Sequence, residues 1–574
     1  MNLYKIYLSE IKNKLIKNKS KINLSSKKYL NNIILENPPE KFNFDFSSNA
    51  AMVLAKNLGD NPRNIAEKIK KILIEEIKDF SKVEVAGPGF LNFKLTDRAW
   101  IKITESIFKA KKKFGSNNKK KKINIEFVSA NPTGPMHVGH SRGAVFGDVL
   151  SNLLKFNGNK VTKEFYINDY GNQIDVFAKS VFFRLREIKH KEIFPKEENL
   201  YPGEYIIDIA NKILKSNSKI NLTSFEKVYK TLKKESLKHS MNLIKSDLKQ
   251  LGIKHDYFFS ETKLVNSNLV EKTVNKLKKN KFVEYGFLDP PKGEEVPEWK
   301  KIKRLIFKST LFGDDSNRAL QKNDGSWTYF ANDVAYHSTK VSRNYDYLLN
   351  ILGADHTGYI KRISAAVSAL SKNKVILICK VCQLVKLFKD GNPYKMSKRL
   401  GDFISVNDLL KEVNKDSIRF MMLNRGNDVE LEFDFDKVLE KSKENPIFYV
   451  QYSYARINSL FSSAKINLKS KITLDPNKFE PNIFEYKLLR KIVEWPRVVD
   501  LASNKFEPHR IPFYLYELVT IFHSYWTKGN DDMKFKFIVN GKINNVFSFK
   551  VFQLVAIVLE NAMHILGVSL PKKM

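Results

Sequence analysis

A strand, loop, helix and second strand between residues 123 and 167 limit the folds open to this chain more than any other feature. Ile123 to Val128 is a short apolar run with β-branched residues and reads as a buried strand. After a Pro-Gly turn, Val138 to Phe156 places Val145, Val149, Leu150, Leu153 and Leu154 on one helical face. Val161 to Ile167 reads as a second strand. Together they form a βαβ unit, the start of a parallel, doubly wound sheet.

The rest of the 574 residues sorts around that unit, and a chain this long needs several cores. Asn2 to Lys19 has helical spacing, and Asn37-Pro38-Pro39 is a loop. Asn49 to Ile77 reads as helix, Pro-containing turn and helix. Val83-Glu84-Val85 and Phe90 to Phe93 alternate like strands around Gly87-Pro88-Gly89. Residues 1–95 are thus expected to form a small α+β domain. Lys111 to Lys122 reads as a solvated linker. Residues 96–440 should form a Rossmann-like parallel-sheet domain, with a lysine-rich helical insertion at about 181–300 that holds Pro290-Pro291 and ends near Trp299. The sheet is expected to resume through Trp327 to Phe330 and Tyr347 to Leu352. Residues 441–574 read as an all-helical bundle rich in Tyr and Phe. The fold class expected is therefore multidomain α/β.

The net charge is +37, which suits a polyanionic partner such as nucleic acid. Lys, Asn and Ile are abundant throughout, so part of this charge reflects codon bias. The only two cysteines, Cys379 and Cys382, form one C-x-x-C without a second pair, and two ordinary core thiols are the simplest reading. No window approaches about 18 uncharged apolar residues, so no membrane span is expected. The start lacks the apolar core of a signal peptide, which points to the cytoplasm.

His137-Val138-Gly139-His140 follows the first strand and opens the helix. It admits three readings: polar residues at a helix start, an H-x-x-H metal site, or a nucleotide site. No third ligand stands at a usual spacing for a metal. A helix N-terminus attracts phosphate, and glycine lets a ligand approach closely. Far downstream, Lys395-Met396-Ser397-Lys398 follows the loop Lys389 to Pro393, and two lysines there can neutralise triphosphate charge. The pair, in this order and these contexts, resembles the HIGH and KMSKS signatures of class I aminoacyl-tRNA synthetases. The resemblance implies adenylation: an amino acid carboxylate attacks the α-phosphorus of ATP. It assigns His137 and His140 to the phosphates, Gly139 to adenosine clearance, and Lys395, Met396, Ser397 and Lys398 to the departing pyrophosphate, usually with Mg²⁺ but with no dedicated protein metal site.

A guanidinium substrate would need paired carboxylates. Glu126 ends the first strand, and Asp333 stands one helical turn after Tyr329. From spacing alone, helix-cap and surface acids account for both slightly better. Four further stretches change the balance: Tyr166-Ile-Asn-Asp-Tyr-Gly-Asn-Gln173, Phe312-Gly-Asp-Asp315, Tyr329 to His337, and Gly353-Ala-Asp-His356. With Phe127 to Asp148 they resemble bacterial arginyl-tRNA synthetases. That resemblance runs from about Asn37 to Met574. It implies arginine contacts at Glu126, Asn131, Tyr329, Asp333 and His356, with Asp169 and Gln173 lining the same pocket. It places adenosine near Gly353, Asp355 and His356.

The resemblance also implies that the N-terminal domain contacts the tRNA elbow, with Phe90 and Asn92 as candidates, although Phe90 reads more readily as core. The C-terminal bundle would bind the anticodon through Tyr449, Gln451, Tyr452 and Arg456, since aromatic rings stack on splayed bases. The expected partners are tRNA(Arg), L-arginine and ATP, without membrane or DNA, for a cytoplasmic monomer that activates arginine only with tRNA bound. Ser141, Asn332, Thr357 and Leu400 depart from the family pattern without removing a charge assigned a role. A lysine-specific class I synthetase, another nucleotidyltransferase of the same fold, and an inactive RNA-binding relative are the rival readings.

Overall fold

The computed structural model describes residues 1–39, 41–197, 199–288, 302–394 and 404–574. Lys395 to Lys398, Pro290-Pro291 and Trp299 lie outside the described residues.

The N-terminal domain is built from α1 (Leu3–Lys17), β1 (Leu35–Glu36), β2 (Phe46–Ser48), α2 (Ala50–Leu58), α3 (Pro62–Glu76), β3 (Phe80–Ala86) and β4 (Phe90–Leu95). Its sheet is antiparallel in the order β1-β2-β4-β3. Asn61 starts α3 by accepting from Arg63 N–H, and Pro62 takes the first helical position, where no amide hydrogen is needed. The helix α4 (Asp97–Ala110) leads into the basic stretch. That stretch is not a free linker. Phe114 is buried, Trp495 Nε1 donates to its carbonyl at 3.0 Å, and Asn561 Nδ2 donates to the carbonyls of Lys111 and Phe114 at 3.0 and 3.2 Å. Buried amide partners hold it against the C-terminal bundle.

The central sheet is opened by β5 (Lys122–Glu126), α5 (Val138–Phe156) and β6 (Lys160–Ile167). Three helices follow: α6 (Asn172–His190), α7 (Glu204–Ser216) and α8 (Phe225–Gln250), packed on a core of their own. The chain then returns as β7 (Tyr257–Ser260) to the edge of the same sheet, beside β6. The stretch 181–300 is therefore not one insertion. The aromatic run Tyr257-Phe-Phe is a sheet strand inside it.

Next come α9 (Glu261–Asn266), α10 (Leu269–Lys279), and a small antiparallel sheet of β8 (Val283–Gly286), β9 (Arg304–Phe307) and β10 (Arg318–Ala319). Trp327 to Phe330 is not a strand. Thr328 caps a helix by accepting from Ala331 N–H, and α11 (Tyr329–Ser342) begins there. Then β11 (Tyr347–Gly353), α12 (Ile360–Ser371) and β12 (Ile376–Cys382) complete a five-stranded parallel sheet, β12-β11-β5-β6-β7. From β5 the chain winds outward through β6 and β7, and β11 and β12 lie on its other side. The winding reverses between β5 and β11, and ligands of such sheets bind at that crevice beyond the strand ends. Cys379 and Cys382 are free thiols on β12, and burial pushes both up to about 12.

The strands β13 (Val385–Lys389) and β14 (Asn392–Pro393) precede residues 395–403. Beyond it are α13 (Val406–Glu412), α14 (Lys415–Met421), β15 (Leu431–Asp434) and α15 (Phe435–Leu439). The C-terminal bundle is α16 (Pro446–Ser463), α17 (Ile483–Lys505), α18 (Arg510–Asp531) and α19 (Val546–Leu566). By length and composition α19 could cross a membrane, but 89% of its apolar window is buried in the bundle.

Buried polar groups join this bundle to the central helix α5. Asp148 of α5 pairs with Lys163 at 2.5 Å and with Arg419 of α14 at 2.6 Å. Arg419 also donates to the carbonyls of Leu251 and Leu566, at 3.0 and 2.8 Å. Asn152 Nδ2 donates to the carbonyl of Ile565 at 3.2 Å. Gly567 ends α19 at φ +67°, and a Cβ there would lie 2.4 Å from Arg419 Nη2, so this turn admits only glycine without displacement.

Candidate active site at the sheet crevice

One end of the crevice is the N-terminus of α5. His137 is the N-cap, and its Nδ1 accepts from Gly139 N–H at 3.1 Å. His140 Nδ1 accepts from His137 N–H at 3.2 Å, closing a reciprocal capping box. The rings lie 3.7 Å apart between centroids. Burial lowers the pKa of both imidazoles, that of His140 to about 3 with help from His137. Both are thus neutral at pH 7, and with Nδ1 accepting, the ring proton sits on Nε2. The site presents two neutral N–H donors at a positive helix end. A Cβ on Gly139 would lie 2.9 Å from the His137 ring, so glycine here leaves room for that imidazole.

The segment before the helix is held on both sides. Val138 N–H donates to Ile404 C=O and Val406 N–H donates to Met136 C=O, each at 2.9 Å. The backbone at the first signature is therefore bonded directly to the residues that follow the Lys395–Lys398 loop.

The other end is acidic and lies between β5 and α11. The Glu126 carboxylate pairs with Lys340, accepts from Ser129 Oγ at 3.1 Å, and lies 3.0 Å from the Tyr336 hydroxyl. Burial pushes Glu126 up, but Lys340, His337 and Tyr336 together hold it below its ordinary value. Lys340, fully buried, also donates to Asn350 Oδ1 at 3.1 Å. Glu164 is bound by Arg343 at 2.7 Å and by Asn124 Nδ2 at 2.6 Å.

Asp333 differs from these acids. It accepts from the Tyr359 hydroxyl, but it forms no ion pair among the described residues. Burial, reinforced by Glu126 and Glu261, pushes it up to about 7 against the Tyr359 hydrogen bond. A desolvated carboxylate lacking its own cation is a receptor for one. Tyr336 lies within the Tyr329–His337 stretch but carried no assigned role there, while Lys340, Tyr359 and Glu261 had no signal in the sequence, because the packing of α11 against the sheet, α9 and the turn after β11 brings them here.

Comparison with known proteins decides the family. Residues 102–462 match the class I (R) tRNA synthetase catalytic domain, residues 8–95 the arginyl-tRNA synthetase N-terminal domain, and residues 450–574 the DALR anticodon binding domain. The chain is 50% identical to the arginine–tRNA ligase of Pelagibacter ubique and 43% identical to that of Bartonella bacilliformis, in both cases across 100% of each chain. This chain belongs to the arginyl-tRNA synthetases. The Thermus thermophilus arginyl-tRNA synthetase structure shares its fold, with a TM-score of 0.72 at 18% identity across 100% of both chains.

In this synthetase the residues expected at the amino acid pocket fall into three groups. Asp333 and Glu126 line the acidic end. Asn131 and Gln173 hydrogen-bond to each other at 3.1 Å, and Asn168 donates to Asn131 at 3.2 Å, so both stand at the crevice mouth. Asp169 has both carboxylate oxygens engaged, by Ser260 Oγ at 2.6 Å and Thr262 N–H at 2.8 Å. It fastens the loop after β6 to β7 and α9 and does not offer a free carboxylate.

Tyr329 is 78% exposed at the start of α11, one turn before Asp333. Gly353 lies at the end of β11, and Asp355 and His356 lie exposed beyond it, paired at 3.3 Å. His356 does not reach the acidic end; Tyr359 of the same turn does. Among the described residues no cluster of three or more His, Cys, Asp or Glu side chains could hold a metal.

The RNA candidates divide as well. Asn92 is only 2% exposed on the central strand β4, with Oδ1 lacking a partner. It therefore cannot touch RNA as the sheet stands, which corrects the sequence reading. Leu91, Asn92 and Phe93 are all buried, so both faces of β4 are covered. Phe90, half-buried beside the Gly87-Pro88-Gly89 turn, is the accessible one.

On the bundle, Tyr449 stacks on His523 with centroids 4.0 Å apart. The Arg456 guanidinium lies 4.2 Å from the Tyr452 ring and donates to His523 Nδ1 at 2.9 Å. Gln451 donates to the Ser569 carbonyl at 3.0 Å. Tyr449 and Tyr452 are half-buried and cover the buried His523 ring between α16 and α18.

Proposed function

We propose that this chain activates L-arginine with ATP and transfers it to the 3′-terminal ribose of tRNA(Arg), releasing AMP and diphosphate. The observation that carries the arginine assignment is Asp333, a buried acid that forms no ion pair among the described residues, beside Glu126. In this reading the guanidinium of the substrate lies between Asp333 and Glu126, with Tyr329 over its stem and Asn131 and Gln173 at its α-amino and carboxylate end. The substrate carboxylate is already ionised, so one of its oxygens attacks the α-phosphorus without a general base. A new P–O bond forms as the bond to pyrophosphate breaks. The Nε2–H groups of His137 and His140 donate to phosphoryl oxygens as charge develops there. Lys395 and Lys398 neutralise the departing pyrophosphate, Met396 and Ser397 complete that loop, and Gly353, Asp355 and His356 face the adenosine. Mg²⁺ would accompany ATP, held by its phosphates and not by a protein site.

The terminal 2′-hydroxyl of tRNA then attacks the adenylate carbonyl, and AMP leaves. Tyr449, Tyr452 and Arg456 bind the anticodon by stacking and charge, with Gln451 at their edge, and Phe90 meets the tRNA elbow. The same reading makes the protein a cytoplasmic monomer that activates arginine only with tRNA bound. Aminoacylation of total tRNA with each labelled amino acid tests it: arginine alone should be charged. Charging of lysine, or no charging at all, would overturn it.

A further inference from the structure

Asp247 stands in α8, within the helices that interrupt the sheet, far in sequence from either signature. It is 5% exposed. Its Oδ2 accepts from Met136 N–H at 2.9 Å, and among the described residues this is the only hydrogen bond of the carboxylate, which forms no ion pair there. Asp408, 3% exposed at the start of α13, is close enough to repel it. Burial and that repulsion push Asp247 up to about 6 against the Met136 bond.

Burying a carboxylate without a cation costs several kcal/mol, and a second acid nearby adds to the cost. Packing alone does not explain such a group, so its single bond deserves a role. That bond falls on the residue immediately before His137. The Met136 carbonyl is meanwhile taken by Val406 N–H, and Val138 N–H is taken by Ile404 C=O. Three backbone groups at the entry of α5 are thereby fixed from outside the helix: the Met136 amide by α8, and the Met136 carbonyl and Val138 amide by the segment that opens α13.

We infer that Asp247 is a positioning residue for adenylation, holding the backbone from which His137 and His140 project. This rests on the reading of that site as the phosphate end of an adenylating enzyme. If the Met136 amide is released, the N-cap loses its fixed direction and both Nε2–H donors lose their aim at the phosphates. The acidic end, built from β5 and α11, is not attached to Asp247 and keeps its geometry.

Two variants of the full-length enzyme test this, with kinetics measured at saturating tRNA. Asp247→Ala removes the acceptor. It should lower kcat at least about tenfold and raise the KM for ATP, with the KM for arginine within twofold of wild type. In Asp247→Asn the amide oxygen can still accept the same N–H, so kcat should return to within about threefold of wild type. An Ala variant with wild-type kcat and ATP KM would overturn the inference. So would an Asn variant as impaired as the Ala variant. So would an equal rise in the KM values for ATP and arginine with a lowered melting temperature, which would make Asp247 merely structural. Wild-type charging is measured first. If the wild type charges another amino acid, the specificity reading fails, and the Asp247 comparison is then run with that amino acid.

Discussion

The two ends of the crevice solve opposite electrostatic problems with opposite means. The acidic end carries full charges in a buried setting: Glu126 is matched by Lys340, Glu164 by Arg343, and Asp333 is left over. Among the described residues the α5 end presents two neutral imidazoles and a helix terminus, with Asp247 behind its backbone. A guanidinium must shed water and meet a counter-charge, so a buried acid that ionises as the cation arrives suits it. A triphosphate brings more negative charge than a buried site should match permanently. In the proposed reading, directional neutral donors, with cations supplied by Lys395 and Lys398, stabilise it without trapping the product.

The sharpest break in this contrast is Asp333→Ala. It should lower kcat/KM for arginine by roughly 10³, since a buried cation without its partner costs about 3–5 kcal/mol. The KM for ATP should stay within about threefold. Parallel losses for both substrates in steady-state kinetics would make Asp333 a scaffold residue. The mirror experiment is His140→Ala, which should lower kcat on the order of 10² while the KM for arginine barely moves. A rise in arginine KM as large as the fall in kcat would mean that the two ends are not separable.

A smaller effect is expected from pH. Asp333 is raised above its unfolded value, so the empty pocket prefers the protonated acid below about pH 7 and loses that preference as pH rises through 7. Arginine binds the ionised form. Its KM should therefore fall about tenfold from pH 6 to pH 8 as one proton is released, and Asp333→Asn should flatten the profile. The KM for ATP should show no matching step from His140, which titrates near 3.

The two ends also differed in how legible they were. The α5 end is contiguous in the chain, so its glycine, its histidines and its strand–helix context could all be read directly. The acidic end is assembled from β5, α11 and the turn before α12. Glu126 and Asp333 emerged through family resemblance, but Lys340, Tyr336 and Tyr359 depend on which helix faces which strand. The error at Trp327 to Phe330 has a local cause: Thr328 is a helix cap, and the aromatic run beside it imitates a strand. Asn92 was misplaced because a strand covered on both faces loses its alternation of buried and exposed residues. The strand β7 was missed because it lies isolated among lysine-rich helices, four residues long.

The junction of Asp148, Arg419 and the end of α19 has a consequence for how this protein can be taken apart. The last turn of α19 supplies an acceptor to the guanidinium that neutralises the middle of α5. A chain cut before α16 would leave Arg419 without the Leu566 carbonyl and Asn152 without that of Ile565. It would also strip the cover from the apolar side of the sheet domain. The part that performs the chemistry is thus not a cassette that can be lifted out or transplanted. Its boundary in sequence lies near residue 440, while its boundary in space runs through the final helix.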